Sequence, residues 1–201
     1  MLRRTFDLTA ATLGLLVLAP VFVGVAIAIA TTSPGPIFFR QERVGRGGKI
    51  FLIYKFRTMR QDAESVGGQL TVQGDPRVTR VGQLLRASKL DELPQLINVI
   101  AGEMALVGPR PEVPRYVARY SDAQRRVLDV RPGITDPASI RYRDESAVLA
   151  SSDDPERAYL EQVMPEKLAI NLDYLERRTL LSDVRVILAT FVRILRRDPP
   201  D

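Results

Sequence analysis

The sequence predicts a mainly helical α+β fold, with a re-entrant helix–break–helix anchor over residues 1–34 and a compact helical domain over residues 35–201. Three observations predict it. Leu8–Ala30 carries no charge, has Pro20 at its middle and is flanked on both sides by arginines. Ile37–Phe39 and Lys49–Phe56 are apolar runs around a glycine-rich turn, Gly45–Gly48, the pattern of a β-hairpin. After Val78, apolar residues recur at helical spacing and prolines or aspartates stand at the expected helix starts.

The apolar segment is long enough for a bilayer crossing, which takes about 20 residues. Pro20 removes a backbone hydrogen bond at its centre and kinks or breaks a helix. Arg3 and Arg4 precede the segment, and Arg40, Arg43, Arg46 and Lys49 follow it. Lys/Arg excess marks cytoplasmic flanks, so a helix that dips into one leaflet and returns satisfies both ends. A single span and a cleaved signal peptide are the competing readings; Ala28-Ile29-Ala30 resembles a cleavage site, but the apolar run exceeds a usual signal core. Ser33-Pro34-Gly35-Pro36 closes the segment.

Composition narrows the chemistry. The 201 residues, 45% of them apolar, suffice for one core with a small appendage. Without cysteine there is no disulfide framework or thiolate metal site, and without histidine the commonest general base and zinc ligand is missing. Any acid–base or metal chemistry rests on Asp, Glu, Lys, Arg or Tyr. A formal charge of +5 points to an anionic partner: nucleic acid, a charged membrane surface or a phosphorylated substrate. On the hairpin, Arg40, Arg43, Arg46, Lys55 and Arg57 interleave with aromatic residues. Beside a membrane segment such a face suits anionic lipid headgroups, at about 1 kcal/mol per basic residue, and no nucleic-acid partner is expected. Gly45-Arg46-Gly47-Gly48 lacks the lysine–serine of a phosphate loop and is not read as one.

Later elements follow in order. Gln61–Pro76, with Gly67-Gly68, reads as a polar loop, and Val78–Leu90 as a helix. Ala105–Gly108 is a short strand or turn. Pro111 is expected to open a helix with Arg110 just before it, and Asp122–Val130 a further amphipathic helix. Arg131–Pro137 reads as a rigid loop, and Asp153–Glu156 as a capped helix start. Glu166–Arg197 is helical, broken or bent near Thr179, and its basic amphipathic end either lies on a membrane or packs on the core.

The chemistry concentrates in Arg86–Pro111. Asp91-Glu92 directly precedes Leu93-Pro94 and an apolar helix that ends near Gly102. A helix N-terminus favours negative charge and can hold phosphate. Arg86 and Lys89 stand before the pair and Arg110 after it. An ionised carboxylate among cations suggests work on a phosphate ester, whereas the plain alternative is a capped surface helix with solvated charges.

These residues resemble the bacterial sugar transferases, or monotopic phosphoglycosyl transferases. The resemblance runs through GPIFFRQERVGRGGKIFLIYKFRTM (Gly35–Met59), DPRVTRVGQLLRASKLDELPQLINVIAGEMALVGPRP (Asp75–Pro111), RPGIT (Arg131–Thr135) and PEKLAINLDYLERRTLLSDVRVIL (Pro165–Leu188). It implies transfer of a sugar 1-phosphate from a UDP-sugar to polyprenyl (undecaprenyl) phosphate at the cytoplasmic face of the inner membrane, the opening step of exopolysaccharide, capsule, O-antigen or glycan assembly. It further implies a ping-pong route through a phosphosugar on Asp91, Mg²⁺ held by Asp91 and Glu92, and phosphate binding by Arg86, Arg110 and Lys55. A helix broken at Pro20 would set the active site at the interface, and a homodimer is compatible with it. By this likeness the chain is the minimal form, without an extra membrane region. It departs from many members after RPGIT, where it reads Asp136-Pro137-Ala138-Ser139-Ile140, so nucleotide or sugar choice does not carry over. A membrane-anchored basic binding module explains the charge but gives Asp91-Glu92 no task.

Overall fold

In the computed structural model, residues 1–63, 74–142 and 145–195 are described. The expected polar loop around Gly67-Gly68, and Arg196 and Arg197 of the basic C-terminal end, lie outside them.

The first element, α1 (Leu2–Thr32), is a single helix with Pro20 inside it. The expected break is therefore absent from the helix itself: Pro20 removes one rung, and the neighbouring turns continue the helix. At about 1.5 Å per residue, a helix of this length exceeds the apolar thickness of a bilayer. It is the one described helix long and apolar enough to cross a membrane. Yet it does not stand clear of the domain. Ala11, Leu15 and Leu18 pack with Leu96, Val99 and Met104, while Phe22, Val25 and Ile29 pack with Phe56, Leu85, Leu90 and Leu93.

Both ends of α1 are fastened to the domain. Arg4 donates to the carbonyls of Val99 (2.6 Å) and Ile100 (3.0 Å), and Asp7 accepts from the Leu106 amide at 3.2 Å. At the far end Arg57 Nη2 donates to the Ser33 carbonyl (2.7 Å) and hydroxyl (2.9 Å), and Nη1 to the Pro34 carbonyl. Leu13, Leu16, Val17, Val23 and Ile27 face outward.

The hairpin pairs β1 (Phe38–Val44) with β2 (Ile50–Phe56) in antiparallel register, Phe38 opposite Phe56 and Val44 opposite Ile50. Its expected basic face is divided. Arg40, Arg46 and Lys49 are exposed, but Arg57 is buried as the α1 clamp and Lys55 and Arg43 point into the domain. The reason is that the carbonyls and carboxylates of α1 and of the later loops lie within their reach.

Helix α2 (Arg80–Ala87) is capped by Thr79, whose side chain accepts from the Gly82 amide, and sits within the expected span. Helix α3 (Gln95–Ala101) ends as the sequence predicts, at Gly102 in the left-handed region. Two further strands, β3 (Ala105–Val107) and β4 (Gly133–Thr135), pair in parallel. The second lies inside what reads as a loop. Gly108 and Gly133 allow it: a Cβ on Gly108 would stand 2.6 Å from the Arg131 carbonyl, and one on Gly133 would overlap the Gly108 backbone.

The helix expected from Pro111 starts instead at Pro114, as α4 (Pro114–Val117). Residues 110–113 stay extended because Val44 N–H donates to the Glu112 carbonyl (2.8 Å) and Arg43 to the Pro111 carbonyl (3.1 Å). Asp122–Val130 is not one helix but α5 (Asp122–Arg125) followed by a 3₁₀ turn, Arg126–Asp129. The remaining helices are α6 (Pro137–Arg141), α7 (Glu145–Ala150), α8 (Pro155–Ala158), which runs through a π-helical turn over Tyr159–Val163 into α9 (Met164–Glu176), and α10 (Leu180–Leu195), with a break near Thr179 where expected. One face of α10 buries Asp183 and Val186, and another exposes Leu181, Leu188, Phe191 and Val192. The outer core joins Val113, Tyr116, Tyr120, Val127, Tyr159 and Leu168.

The β3–β4 contact makes a direct prediction. Gly133→Ala should lower stability by about 2–4 kcal/mol, read from the urea midpoint, because backbone cannot yield as a flexible side chain would. A variant as stable as the parent would show that the two strands do not approach this closely.

Candidate active site

Three segments converge on Asp91-Glu92. The pair lies in a 3₁₀ turn, Leu90–Glu92, that follows Lys89 and leads through Leu93-Pro94 into α3. Lys89 is the described non-glycine residue with positive φ, 56°, and this left-handed step turns the chain from α2 into the pair. Leu90 and Leu93, on either side of the pair, pack against Phe22, Val25 and Ile29 of α1. The site is thus built on the apolar helix.

The hairpin brings in Lys55 because Asn98 of α3 fastens β2. Asn98 is fully buried; its Oδ1 accepts from the Tyr54 amide (3.0 Å), and its Nδ2 donates to the Leu52 carbonyl (2.8 Å) and to Glu103 (2.7 Å). The extended residues 110–113 bring in Arg110. Arg86 arrives on α2, which meets the Thr58 carbonyl so closely at Gly82 that a Cβ there would overlap it. Arg86 Nε donates to the Thr58 hydroxyl at 2.9 Å.

The two carboxylates receive opposite environments. Glu92 accepts from Lys55 Nζ at 3.1 Å through Oε1 and from both terminal nitrogens of Arg110, one of them at 3.1 Å through Oε2. Burial alone would raise its pKa, but Arg110 and then Lys55 outweigh it and hold Glu92 well below the ordinary carboxylate range. Glu92 in turn holds Arg110 firmly protonated, against the effect of burial, while burial pulls Lys55 down despite Glu92. Asp91 is buried, and its Oδ1 has no hydrogen-bond partner among the described residues. Burial raises its pKa, with Lys55 opposing and Glu92 reinforcing the rise. Burial likewise lowers Arg86, with Asp91 opposing.

The structure therefore brings Lys55, Glu92 and Arg110 into direct contact, with Asp91 and Arg86 in their electrostatic field. Pro20 is elsewhere, exposed on α1. Asn98, Thr58 and Gln95 are the parts that sequence reading missed. A polar residue at a core position of an apolar helix, as at 95 and 98, was the available signal. Asp136, in the departing loop, is buried and caps α6 by accepting from the Ser139 amide at 3.0 Å; its charge also helps keep Arg110 protonated.

No described group of three or more Asp or Glu side chains could hold a metal by itself. The donor set nevertheless fits Mg²⁺, which keeps waters and substrate oxygens as ligands and needs only one or two carboxylates. Asp91 has an open carboxylate oxygen, and Glu92 Oε2 carries only its Arg110 contact.

The pair thus joins a buried Asp91 to a half-buried Glu92, with cations around both and a long apolar helix packed beside them. The chain belongs to the bacterial sugar transferase family, whose model matches residues 1–197. It is 37% identical to a UDP-glucose:undecaprenyl-phosphate glucose-1-phosphate transferase of Xanthomonas campestris pv. campestris, over 94% of this chain but 38% of that relative. It is also 37% identical to an exopolysaccharide production protein of Rhizobium leguminosarum bv. phaseoli, over 98% of this chain and 96% of the relative. A UDP-N-acetylgalactosamine-undecaprenyl-phosphate N-acetylgalactosaminephosphotransferase of Aeromonas hydrophila is 36% identical over 96% of this chain and 44% of its own length. The chain thus spans about four-tenths of the first and third of these relatives.

The unlike environments predict opposite stability effects. Glu92→Gln should cost about 1–3 kcal/mol at pH 7, since it strands two half-buried cations. Asp91→Asn should stabilise, since it removes a buried charge without a hydrogen bond on Oδ1. The pH dependence follows by linkage. Glu92, lowered from its ordinary 4.5, contributes stability present above that value and lost as pH falls through its folded value. Asp91, raised from 3.8, costs stability as pH rises through its folded value. Urea titrations of both variants between pH 3 and 8 check this; equal shifts of the same sign would contradict the assigned environments.

Proposed function

We propose that this protein transfers a sugar 1-phosphate from a UDP-sugar to a polyprenyl phosphate and releases UMP, in line with the transferase names of the Xanthomonas and Aeromonas relatives. The observation that carries the assignment of roles is the contrast within the pair. Asp91 is the carboxylate that no cation bonds directly among the described residues, and burial leaves it weakly solvated, which suits a nucleophile. Glu92 holds Arg110 and Lys55 at the place where phosphate charge arrives.

Asp91 attacks the β-phosphorus, and UMP departs with the electron pair of the broken P–O bond. The lipid phosphate then attacks the same phosphorus and returns the carboxylate. Arg110 and Lys55 use only part of their donors on Glu92, so further N–H groups remain for the diphosphate, and Arg86 adds a third cation. Mg²⁺ held by Asp91, Glu92 Oε2 and diphosphate oxygens would quiet the substrate's charge. No general base is needed for a phosphate dianion, which agrees with a chain lacking histidine.

Residues 1–34 are the membrane anchor and 35–201 the catalytic domain in this reading, with both ends of α1 on the cytoplasmic side of the inner membrane. The support is mechanical: Arg4 and Asp7 at one end and Ser33-Pro34 at the other are held by the same folded domain. The outward apolar face between them then meets lipid, with Arg40, Arg46 and Lys49 available to anionic headgroups. The relatives differ in sugar, and the sugar here is open to a panel of UDP-sugars.

Two measurements test this. With the productive UDP-sugar and Mg²⁺ but no acceptor, intact-protein mass spectrometry should show a phosphosugar adduct that Asp91→Asn lacks; an adduct on that variant, or one mapped to Glu92, overturns the roles. Single cysteines replacing Thr5 and Thr32 should label from the cytoplasmic side alone, and labelling of one from the periplasm would establish a span.

A further inference from the structure

We propose that Gln95 is a positioning residue for Asp91, its amide Nε2–H holding Asp91 Oδ1 from beneath so that the other oxygen stays in line with phosphorus. This rests on the reading of Asp91 as nucleophile.

Gln95 has no exposed surface, and neither its Oε1 nor its Nε2 has a hydrogen-bond partner among the described residues. Leaving a buried polar group unpaired is costly, and a methionine of similar length would fill the space without that cost. The next buried amide on α3 shows the contrast: Asn98 is satisfied by Tyr54, Leu52 and Glu103. Asn98 thus serves the fold, whereas Gln95 serves no side-chain bond among the described residues.

Its position says what it serves. Asp91, Gln95 and Asn98 recur along the buried side of the segment, while Ile97 and Ile100 lie partly exposed on the other. A helical side chain leans toward the turn N-terminal to its own Cα, which for Gln95 is the turn carrying Asp91. Donor and acceptor, both without partners among the described residues, therefore occupy successive turns. They are not bonded to each other in the structure, and rotation of the flexible glutamine side chain would join them when the nucleophile is engaged, so the resting fold owes no stability to the contact.

A neutral amide suits this place. Lys55, Arg86 and Lys89 already lie around the pair, and a neutral donor orients Oδ1 without adding a further protein charge beside the nucleophile. In the first half-reaction the Asp91 O–P bond forms and the P–O bond to UMP breaks. In the second the lipid-phosphate O–P bond forms and the Asp91 O–P bond breaks, its electron pair returning to the carboxylate. Gln95 exchanges no proton in either step. It holds Oδ1 first as a carboxylate oxygen and then as the carbonyl of the acyl phosphate, using one of two acceptor directions and leaving the other for a cation.

The test compares the full-length protein with Gln95→Met and Asp91→Asn, in detergent, using the UDP-sugar selected from the panel. For Gln95→Met we expect an unfolding temperature equal to or above the parent's, KM for the UDP-sugar within about twofold, and adduct formation and kcat both about 10- to 100-fold slower. Parental adduct and turnover rates would overturn the proposal while leaving the nucleophile in place. A fall of several degrees in unfolding temperature would also overturn it, by showing that Gln95 makes a structural bond. An adduct that persists in Asp91→Asn instead removes the nucleophile reading, and this proposal with it.

Discussion

The structure turns on the charge of Glu92. A carboxylate out of water must be matched, and here two cations from distant parts of the chain match it: Lys55 from the hairpin and Arg110 from the extended segment after β3. That requirement couples three otherwise separate pieces. The hairpin must lie against α3, which Asn98 ensures, and residues 110–113 must run extended along β1, which Val44 and Arg43 ensure. Gly108 and Gly133 then let the segment before Arg110 meet β4 at backbone distance.

Much of this frame was legible in the sequence because short-range chemistry writes it. Pro94 and Gly102 bound α3, the glycine turn and flanking apolar runs define the hairpin, and Asp154 and Thr179 mark helix boundaries. What escaped depends on long-range pairing. A three-residue parallel strand such as β4 has no period to read, so Arg131–Pro137 looks like a loop. Arg110 looks like the residue before a helix because Pro111 is a good helix opener; bonds from β1, some 70 residues earlier, keep it extended. Lys55 and Arg57 look like surface charges for the same reason.

Within the site, the sequence marked the pair but not the difference between its members. Neighbouring residues point in different directions, and only the three-dimensional arrangement decides which one meets the cations. Arg86 and Arg110 were legible as cations near a carboxylate pair, whereas Lys55 entered only through the family resemblance. That two of the three would be spent first on Glu92 was not legible, and this shifts Glu92 from an auxiliary carboxylate to the group that fixes where positive charge stands.

The apolar helix belongs to the same device. Leu90 and Leu93 flank the pair and pack against Phe22, Val25 and Ile29, so a change in the seat of α1 is felt within one residue of each carboxylate. Arg4 strengthens the connection by closing the last carbonyls of α3, where a cation also opposes the helix dipole. Helix α1 and the site therefore share one packed contact rather than a linker. For a substrate whose apolar tail stays in the bilayer, this has a geometric consequence. In the proposed reaction the phosphate would come to Asp91 at a depth set by α1, so the same packing that holds the helix to the domain would also fix how far the phosphate has to rise.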